Sequence, residues 1–101
     1  MKILQQAQQM QGRLQQMQDE LQNQTVVGAA GGGMVTAEAD GTGKIRKIHI
    51  DPSVVNPADV EMLEDLVTVA VSEVQKRAAE LAKQETGKLA GGLNLPFPLS
   101  F

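Results

Sequence analysis

The chain has 101 residues and a formal net charge of −3, with 42% hydrophobic and only 2% aromatic residues. This length suits one domain and is too short for two independent cores. Because large apolar side chains are scarce, a lone subunit would bury little apolar area and be marginally stable. The composition therefore favours association with a partner chain.

Composition also argues against several classes of protein. The chain has no Cys, which removes disulfides, thiolate nucleophiles and Cys-based metal sites, and its single His argues against a His-based metal site. No apolar run reaches the length of about 18 residues that a membrane span requires. The first residues lack the pattern of a secretory signal, so we expect a cytoplasmic protein without membrane contact.

Residues 2–24 predict a long helix with one apolar seam. The segment holds ten Gln and one Gly, and its apolar residues are separated by 4, 3, 4, 3 and 4 positions. This is the heptad spacing of a helix that packs against another helix, and Gln is a fair helix former. The seam residues are Ile3, Ala7, Met10, Leu14, Met17 and Leu21.

Residues 25–50 predict three short antiparallel strands. Thr25–Val27 is rich in β-branched residues, Met34–Ala39 alternates weakly, and Lys44–Ile50 alternates between apolar and basic residues. Two turn signals separate them, the glycines at Gly31–Gly33 and the Asp40–Gly43 segment.

A second helix and an apolar tail complete the chain. Asn56-Pro57 supplies an N-cap residue and a proline at the first helical position, and Gly91-Gly92 ends the helix at the latest. We divide the chain into one domain at residues 1–92 and an apolar, Pro-containing tail at residues 93–101. The tail is interpreted as a strap over the dimer, with an adaptor peptide or a disordered segment as the alternatives.

The element order predicts an α+β subunit, αβββα, with a three-stranded antiparallel sheet and a long N-terminal helix. Six-residue strands are only about 20 Å long, whereas 22 helical residues span roughly 33 Å. Part of the helical seam must therefore meet another surface, and a second copy is the simplest one. We predict a homodimer whose interface contains Met10, Leu14, Met17 and Leu21.

The sequence holds no coherent catalytic or metal site. The segments Gly31–Gly33 and Gly41–Lys44 fail the spacing that phosphate-cradling loops require. Asp51 is the only carboxylate near His49 in sequence, and an ordinary surface histidine is the favoured interpretation. No nucleophile, base and orienting group can be assembled. We therefore expect no enzymatic activity, no cofactor, no metal and no small-molecule substrate.

The basic residues form two groups that are partly separated from the acids. One group lies in the last strand and the other in the C-terminal half of the second helix. By charge alone, solvated surface charge is the favoured interpretation. Without Tyr or Trp, base stacking is nearly excluded, so a nucleic-acid partner would be held through its phosphates. The candidate DNA-binding residues are Lys44, Arg46, Lys47, Lys76, Arg77, Lys83 and Arg13.

Five stretches of the sequence, in this order, resemble the YbaB/EbfC family of bacterial nucleoid-associated proteins. They are Gln6–Gln11, Gly31–Val35, Ile48–Ser53, Glu61–Leu66 and Gly91–Pro96. The resemblance implies a homodimer of αβββα subunits with protruding helices in a tweezers-like shape. It also implies binding of duplex DNA with weak or variable sequence preference, in organising the nucleoid or controlling expression.

Two hypotheses from different classes follow. The first is a nucleoid-located protein that binds duplex DNA as a dimer, which the resemblance favours. The second is a dimeric adaptor that binds other proteins through the helix seam or the tail, which the net charge of −3 and the Gln-rich helix favour.

Overall fold

The computed structural model describes the backbone of residues 2–92 and the side chains of residues 3–88. Its order of elements confirms the predicted αβββα subunit. The tail at residues 93–101 lies outside the described residues. The helices and strands are α1 (Lys2–Gln22), β1 (Thr25–Ala30), β2 (Val35–Asp40), β3 (Ile45–Ile50) and α2 (Val60–Gly92).

The three strands form one antiparallel sheet in the order β1-β2-β3, which leaves β1 and β3 at its edges. Both predicted hairpin turns are present. The turn between β1 and β2 contains Gly31, Gly32 and Gly33, whose φ angles are 61°, 69° and 95°. These left-handed conformations favour glycine because it has no Cβ.

The core lies between α2 and one face of the sheet, and it is built mainly from small side chains. Val35, Ala37 and Ala39 of β2 pack against Ala70 and Val74 of α2, and all five are fully buried. Gly28 lets the helix approach the sheet closely. A Cβ at this position would lie 2.8 Å from the carbonyl oxygen of Ala70 and would also collide with the backbone nitrogen of Val74.

The start of α2 differs from the prediction. The helix begins at Val60, three residues after Pro57, and the Asp59 carboxylate caps it by accepting a hydrogen bond from the Met62 N–H at 3.3 Å. Asn56 instead closes a separate turn, because its side-chain oxygen accepts from the Ala58 N–H at 3.0 Å. Two N-cap residues compete within four positions here, and the charged one caps the helix.

The two helices pair beyond the sheet. With 33 residues, α2 is about 50 Å long, so it extends well past strands of about 20 Å. Its C-terminal half runs antiparallel to α1, where the Thr86 hydroxyl oxygen lies 3.8 Å from the sulfur of Met17 and donates to the carbonyl oxygen of Ala82 at 2.9 Å. We call this pair, α1 and residues 78–92, the arm. Within residues 2–92 neither helix is long and apolar enough to cross a membrane.

The arm corrects one part of the predicted dimer interface. Leu21 is only 1% exposed, and it is buried by its own subunit. Gly41 and Ala78 lie beside it, so it has no surface left for a second copy. The prediction was wrong here because α2 extends past the sheet far enough to cover the end of α1. Met10 and Met17 are half-buried and Leu14 is exposed, and their role in a dimer stays a prediction.

Candidate nucleic-acid interface

Three elements meet where α1 ends, and this meeting point positions part of the predicted basic surface. The Gly41 N–H donates to the carbonyl oxygen of Leu21 at 2.7 Å. The Arg46 guanidinium donates to the carbonyl oxygen of Gln22 at 2.6 Å. The Gln75 amide of α2 donates to the carbonyl oxygen of Gly43 at 3.5 Å. We call this region the junction.

Asp40 organises the turn of the junction from a buried position. It is 2% exposed, and one of its carboxylate oxygens accepts from the N–H groups of Thr42 and Lys44 at 2.8 and 3.1 Å. The Thr42 hydroxyl donates to the same oxygen, and Arg46 lies 3.4 Å from the other one. These bonds, that of the Thr42 side chain most of all, lower the pKa of Asp40 to about 2. The carboxylate therefore fixes the backbone that carries the β3 cations.

The β3 cations are all exposed but differ in their surroundings. Arg46 is the extra residue of a β-bulge, since Lys47 pairs with Glu38 while Ile45 pairs with Ala39. Its side chain is bonded to Asp40 and to the end of α1. Lys47 faces an acid across the strand pair.

Lys44 is different, because it stands on the fixed turn. Its side chain is exposed and forms no ion pair within the described part of the chain.

The cations of α2 form two groups that differ in their surroundings. Lys76 and Lys83 are exposed and make no ion pair among residues 3–88. Arg77 lies on the β1 side, where it donates to the carbonyl oxygen of Val27 at 2.8 Å and lies 3.5 Å from the Glu73 carboxylate. It is thus separated from β3 by the width of the sheet. Lys44 and Lys76 follow in sequence the two residues of the contact between the turn and α2, Gly43 and Gln75. Since Val74 and Ala78 are buried, Lys76, which lies between them on the helix, faces away from the sheet.

The arm carries a third, mixed group of charges. Arg13 and Lys88 line a groove of about 270 Å³ between the helices, together with Glu20 and Glu85. Lys88 lies 3.4 Å from the Glu85 carboxylate. The charged residues that line the groove are therefore two cations and two acids.

Three of the six acids of α2 lie in its first turns, away from the junction. Glu61, Glu64 and Asp65 are exposed in its first turns. Lys76 lies 11 residues beyond Asp65, which corresponds to about 16 Å along the helix. The junction thus lies apart from this acidic cluster, although Glu73 and Glu80 lie close to it in sequence.

Among the described side chains, no hydrogen bond or ion pair joins His49 and Asp51. Asp51 caps the turn that follows β3 by accepting from the Ser53 N–H at 2.9 Å, and hydrogen bonds from Ser53 are the main reason why the pKa of Asp51 is lowered. His49 is exposed, opposite Thr36. Among the side chains that the structure describes, no three His, Asp or Glu residues are grouped as metal ligands.

The positioning residues of the junction were not predicted from the sequence. The Asp40–Gly43 segment was expected to form a turn, but no role was assigned to Asp40. An Asp at the start of a Gly-rich turn is itself a signal, because its carboxylate commonly accepts from N–H groups two residues on. Gln22 and Gln75 carry no such signal, since their contacts join residues 24 and 32 positions apart.

The architecture defines a small α+β protein with a helical arm attached to a three-stranded sheet. Within this class, the model of the YbaB/EbfC DNA-binding family matches residues 1–93, and the chain belongs to this family. The resemblance seen in the sequence is thereby confirmed.

Named relatives and a solved structure agree with this assignment. A nucleoid-associated protein of Gemmatimonas aurantiaca is 52% identical over 100 residues, covering 99% of this chain and 96% of its own length. One from Desulfotalea psychrophila is 45% identical, covering 94% of this chain and 90% of its own. The crystal structure of an uncharacterized protein from Helicobacter pylori has the same fold, with a TM-score of 0.75 at 21% identity, over 83% of this chain and 88% of that one.

Proposed function

We propose that this protein is a nucleoid-associated protein that binds duplex DNA as a dimer, mainly through phosphates and with weak sequence preference. The main support for the proposal is that the chain belongs to a DNA-binding family. Two relatives of the chain are named as nucleoid-associated proteins. We infer that it acts on the nucleoid in the cytoplasm, in organising DNA or modulating expression.

The charges at the junction support a phosphate-based mechanism. Lys44 and Lys76 are exposed, and each follows in sequence a residue of the contact between the turn and α2. The sequence has no Tyr or Trp on which bases could stack. Lysine ammonium groups contact phosphates as point charges and carry no sequence information in that contact. Binding of this kind is steeply dependent on salt and nearly independent of sequence.

A dimer would double each basic surface, and the structure offers an apolar surface for it. Met62 and Val69 of α2 are exposed and lie beside a cavity of about 420 Å³ at the end of β1. Val27 of the neighbouring edge strand is exposed as well, but on the face of the sheet away from α2, because the adjacent Gly28 faces the helix. We call Met62 and Val69 the apolar edge. The segment Thr25–Ala30 has no charged residue, whereas the other edge strand, β3, carries two cations and a bulge that protect it from pairing.

The charges around the apolar edge favour a two-fold arrangement. Glu61 and Asp65 flank it at one end, and Arg77 lies at the other. A two-fold axis near Val69 would bring the acidic end of each copy to Arg77 of the other. Because Arg77 already occupies the Val27 carbonyl, the contact would be made by side chains rather than by a continuous sheet. The surface predicted from the sequence, at Met10, Leu14 and Met17, is the competing proposal.

A dimeric adaptor is the second candidate, and one observation favours it. Ile3 and Leu4, near the start of α1, are 82% and 65% exposed, which is unusual for large apolar side chains and suits a surface that binds another protein.

One experiment separates the two candidates. The affinity for two unrelated duplexes of equal length is measured by fluorescence anisotropy in low salt. The DNA-binding proposal predicts binding to both with affinities within a few-fold of each other. Absence of binding in low salt overturns it and leaves the adaptor, and strong binding to only one duplex overturns the phosphate mechanism.

A further inference from the structure

We propose that the cavity at the junction is a binding site for the sugar–phosphate backbone of duplex DNA. It has a volume of about 400 Å³ and lies where the turn between β2 and β3, the end of α1 and the middle of α2 meet. The inference rests on the proposed function and deepens it, because it names the place where one strand of the duplex is held. We call this space the junction cavity.

The lining of the junction cavity is uncharged, whereas two other cavities of the described residues are partly acidic. Five of its nine lining residues are Gly or Ala, and none of the nine is an acid or a base. The cavity beside Met62 has three acids in its lining, and the groove of the arm has two. Because a carboxylate in the wall repels a phosphate, the junction cavity suits an anion best of the three.

Two exposed lysines of α2 border the junction cavity. Lys76 precedes the lining residue Ala79 by three positions and Lys83 follows it by four, so both lie next to Ala79 on the helix surface. They are about 10 Å apart along the helix. Since the phosphates of one strand follow each other about every 3.4 Å along the duplex axis, the two ammonium groups can reach different phosphates of that strand. On the turn, Lys44 directly follows the lining residue Gly43 and is exposed too.

The acids that are close to the lining in sequence do not face the junction cavity. Asp19 and Glu80 each precede a lining residue by two positions, which is about 200° around their helices, so they point away from it. Glu20 lines the groove of the arm instead. Asp40 is 2% exposed, and its carboxylate lies 3.4 Å from the Arg46 guanidinium. A phosphate in the cavity would therefore meet lysines rather than a carboxylate.

The walls match the two chemical parts of the DNA backbone. Deoxyribose presents C–H groups, which can pack against the small apolar side chains of Ala79 and Ala82. Phosphate oxygens accept hydrogen bonds, and the amides of Gln18 and Gln75 supply uncharged donors in the lining. Glutamine and lysine side chains are common partners of phosphate and sugar in complexes with DNA.

An apolar partner would gain little from the junction cavity. The one large apolar side chain in its lining is Leu21, which is only 1% exposed. Met62 and Val69, beside the other cavity, are 40% and 53% exposed and offer more apolar area to bury. The composition of the lining therefore favours the DNA backbone over an apolar protein segment.

The junction cavity can be filled without a change of charge. Ala79→Leu places a larger apolar side chain in its wall, at an exposed position. Gln84→Leu adds the same side chain at an exposed position of α2 outside the lining and is the control. The affinity of the full-length proteins for two unrelated duplexes is measured by fluorescence anisotropy over a salt series. Urea unfolding shows whether both variants are folded.

Ala79→Leu should bind both duplexes at least tenfold more weakly than the wild type, with a shallower salt dependence, because phosphates are no longer held beside the lysines. Gln84→Leu should bind as the wild type does. Equal affinities of Ala79→Leu and the wild type would overturn the binding site and leave the proposed function intact. A wild type that binds neither duplex would overturn the proposed function, and the binding site with it.

A second measurement needs no variant. The isotope-labelled wild type is titrated with a short duplex, and its backbone amide signals are followed by NMR. The largest changes should fall on lining residues of the junction cavity, such as Gly43, Ala79 and Ala82. The amide of Leu66, which lines the cavity beside Met62, should change little. Large changes at Leu66 with small changes in the junction cavity would overturn the proposal.

Discussion

Arg46 joins the sheet to the end of α1: its guanidinium donates to the carbonyl oxygen of Gln22 at 2.6 Å. The last carbonyls of a helix carry partial negative charge, so a cation at this point stabilises the helix end. One of the cations predicted to bind DNA therefore holds the arm against the sheet. The same side chain lies 3.4 Å from Asp40, which ties the helix end to the turn before β3.

Replacing Asp40 should destabilise the protein and loosen the junction. Asp40→Asn keeps the size of the side chain but removes its negative charge. In the wild type, the charged carboxylate accepts hydrogen bonds from two backbone N–H groups and from the Thr42 hydroxyl. We expect a clear fall in the midpoint of urea unfolding, measured by circular dichroism. Glu64→Gln, at an exposed position of α2, is the control and should leave the midpoint nearly unchanged.

The stability of the protein should fall in acid, and Asp40 should account for part of the fall. Its pKa is lowered from 3.8 to about 2 by the Thr42 hydrogen bond above all, so the folded state favours the charged form. A lowered pKa contributes stability that is present above pH 3.8 and is lost as the pH falls towards 2. Asp51, whose pKa is also lowered by its bonds to Ser53, contributes in the same direction.

The free energy of unfolding from urea titrations at pH 6, 5, 4 and 3 checks this prediction. The wild type should lose more stability between pH 4 and pH 3 than Asp40→Asn does. Parallel curves for the two proteins would contradict the assigned role of the carboxylate.

Two glycines should respond to alanine in opposite directions. Gly28→Ala places a Cβ against the backbone of α2 and should cost about 1–3 kcal/mol, because backbone cannot move aside as a side chain can. Gly12→Ala in α1 meets nothing within 4 Å and should stabilise the protein by about 0.5–1 kcal/mol. Urea unfolding of both variants measures the difference, and a stable Gly28→Ala protein would be inconsistent with the close approach of α2.

The two proposed dimer surfaces can be separated by matched charge substitutions. Val69→Glu puts a carboxylate into the apolar edge and should dissociate the dimer at micromolar concentration. Leu14→Glu puts the same charge on α1 and should leave the dimer intact. Light scattering with size-exclusion chromatography gives the masses. Dissociation by Leu14→Glu alone would favour the α1 surface, and a monomeric wild type would refute both.

The local parts of the fold could be predicted from the sequence, because their causes are local. The triple glycine and the Asp40–Gly43 segment set two turns, and the seam of α1 follows from spacing alone. The start of α2 was predicted too early because Asn56 and Asp59 are both good caps, and only the competition between them decides the boundary.

The sequence does not predict in the same way which helices and strands pack against each other. That Leu21 packs within its own subunit depends on how far α2 extends past the sheet, which no local pattern encodes. The basic residues could be identified in the sequence by their charge. No local pattern shows, however, that Arg46 and Arg77 bond to backbone carbonyls. Nor does one show that Lys44 and Lys76 make no such bond among the described residues. Tertiary contacts therefore decide which basic side chains remain available to bind DNA phosphates.

Binding of duplex DNA through phosphates at the junction is tested most directly by the salt dependence of affinity for the wild type and for Lys44→Ala with Lys76→Ala. With about four to six phosphates neutralised per dimer, log K should fall against log salt with a slope of roughly −4 to −5. The double variant should bind two unrelated duplexes more weakly by similar factors, with a slope shallower by about 1 for each phosphate that it no longer neutralises. A variant that keeps the wild-type affinity and slope, or a wild type whose affinity does not change with salt, would contradict this account.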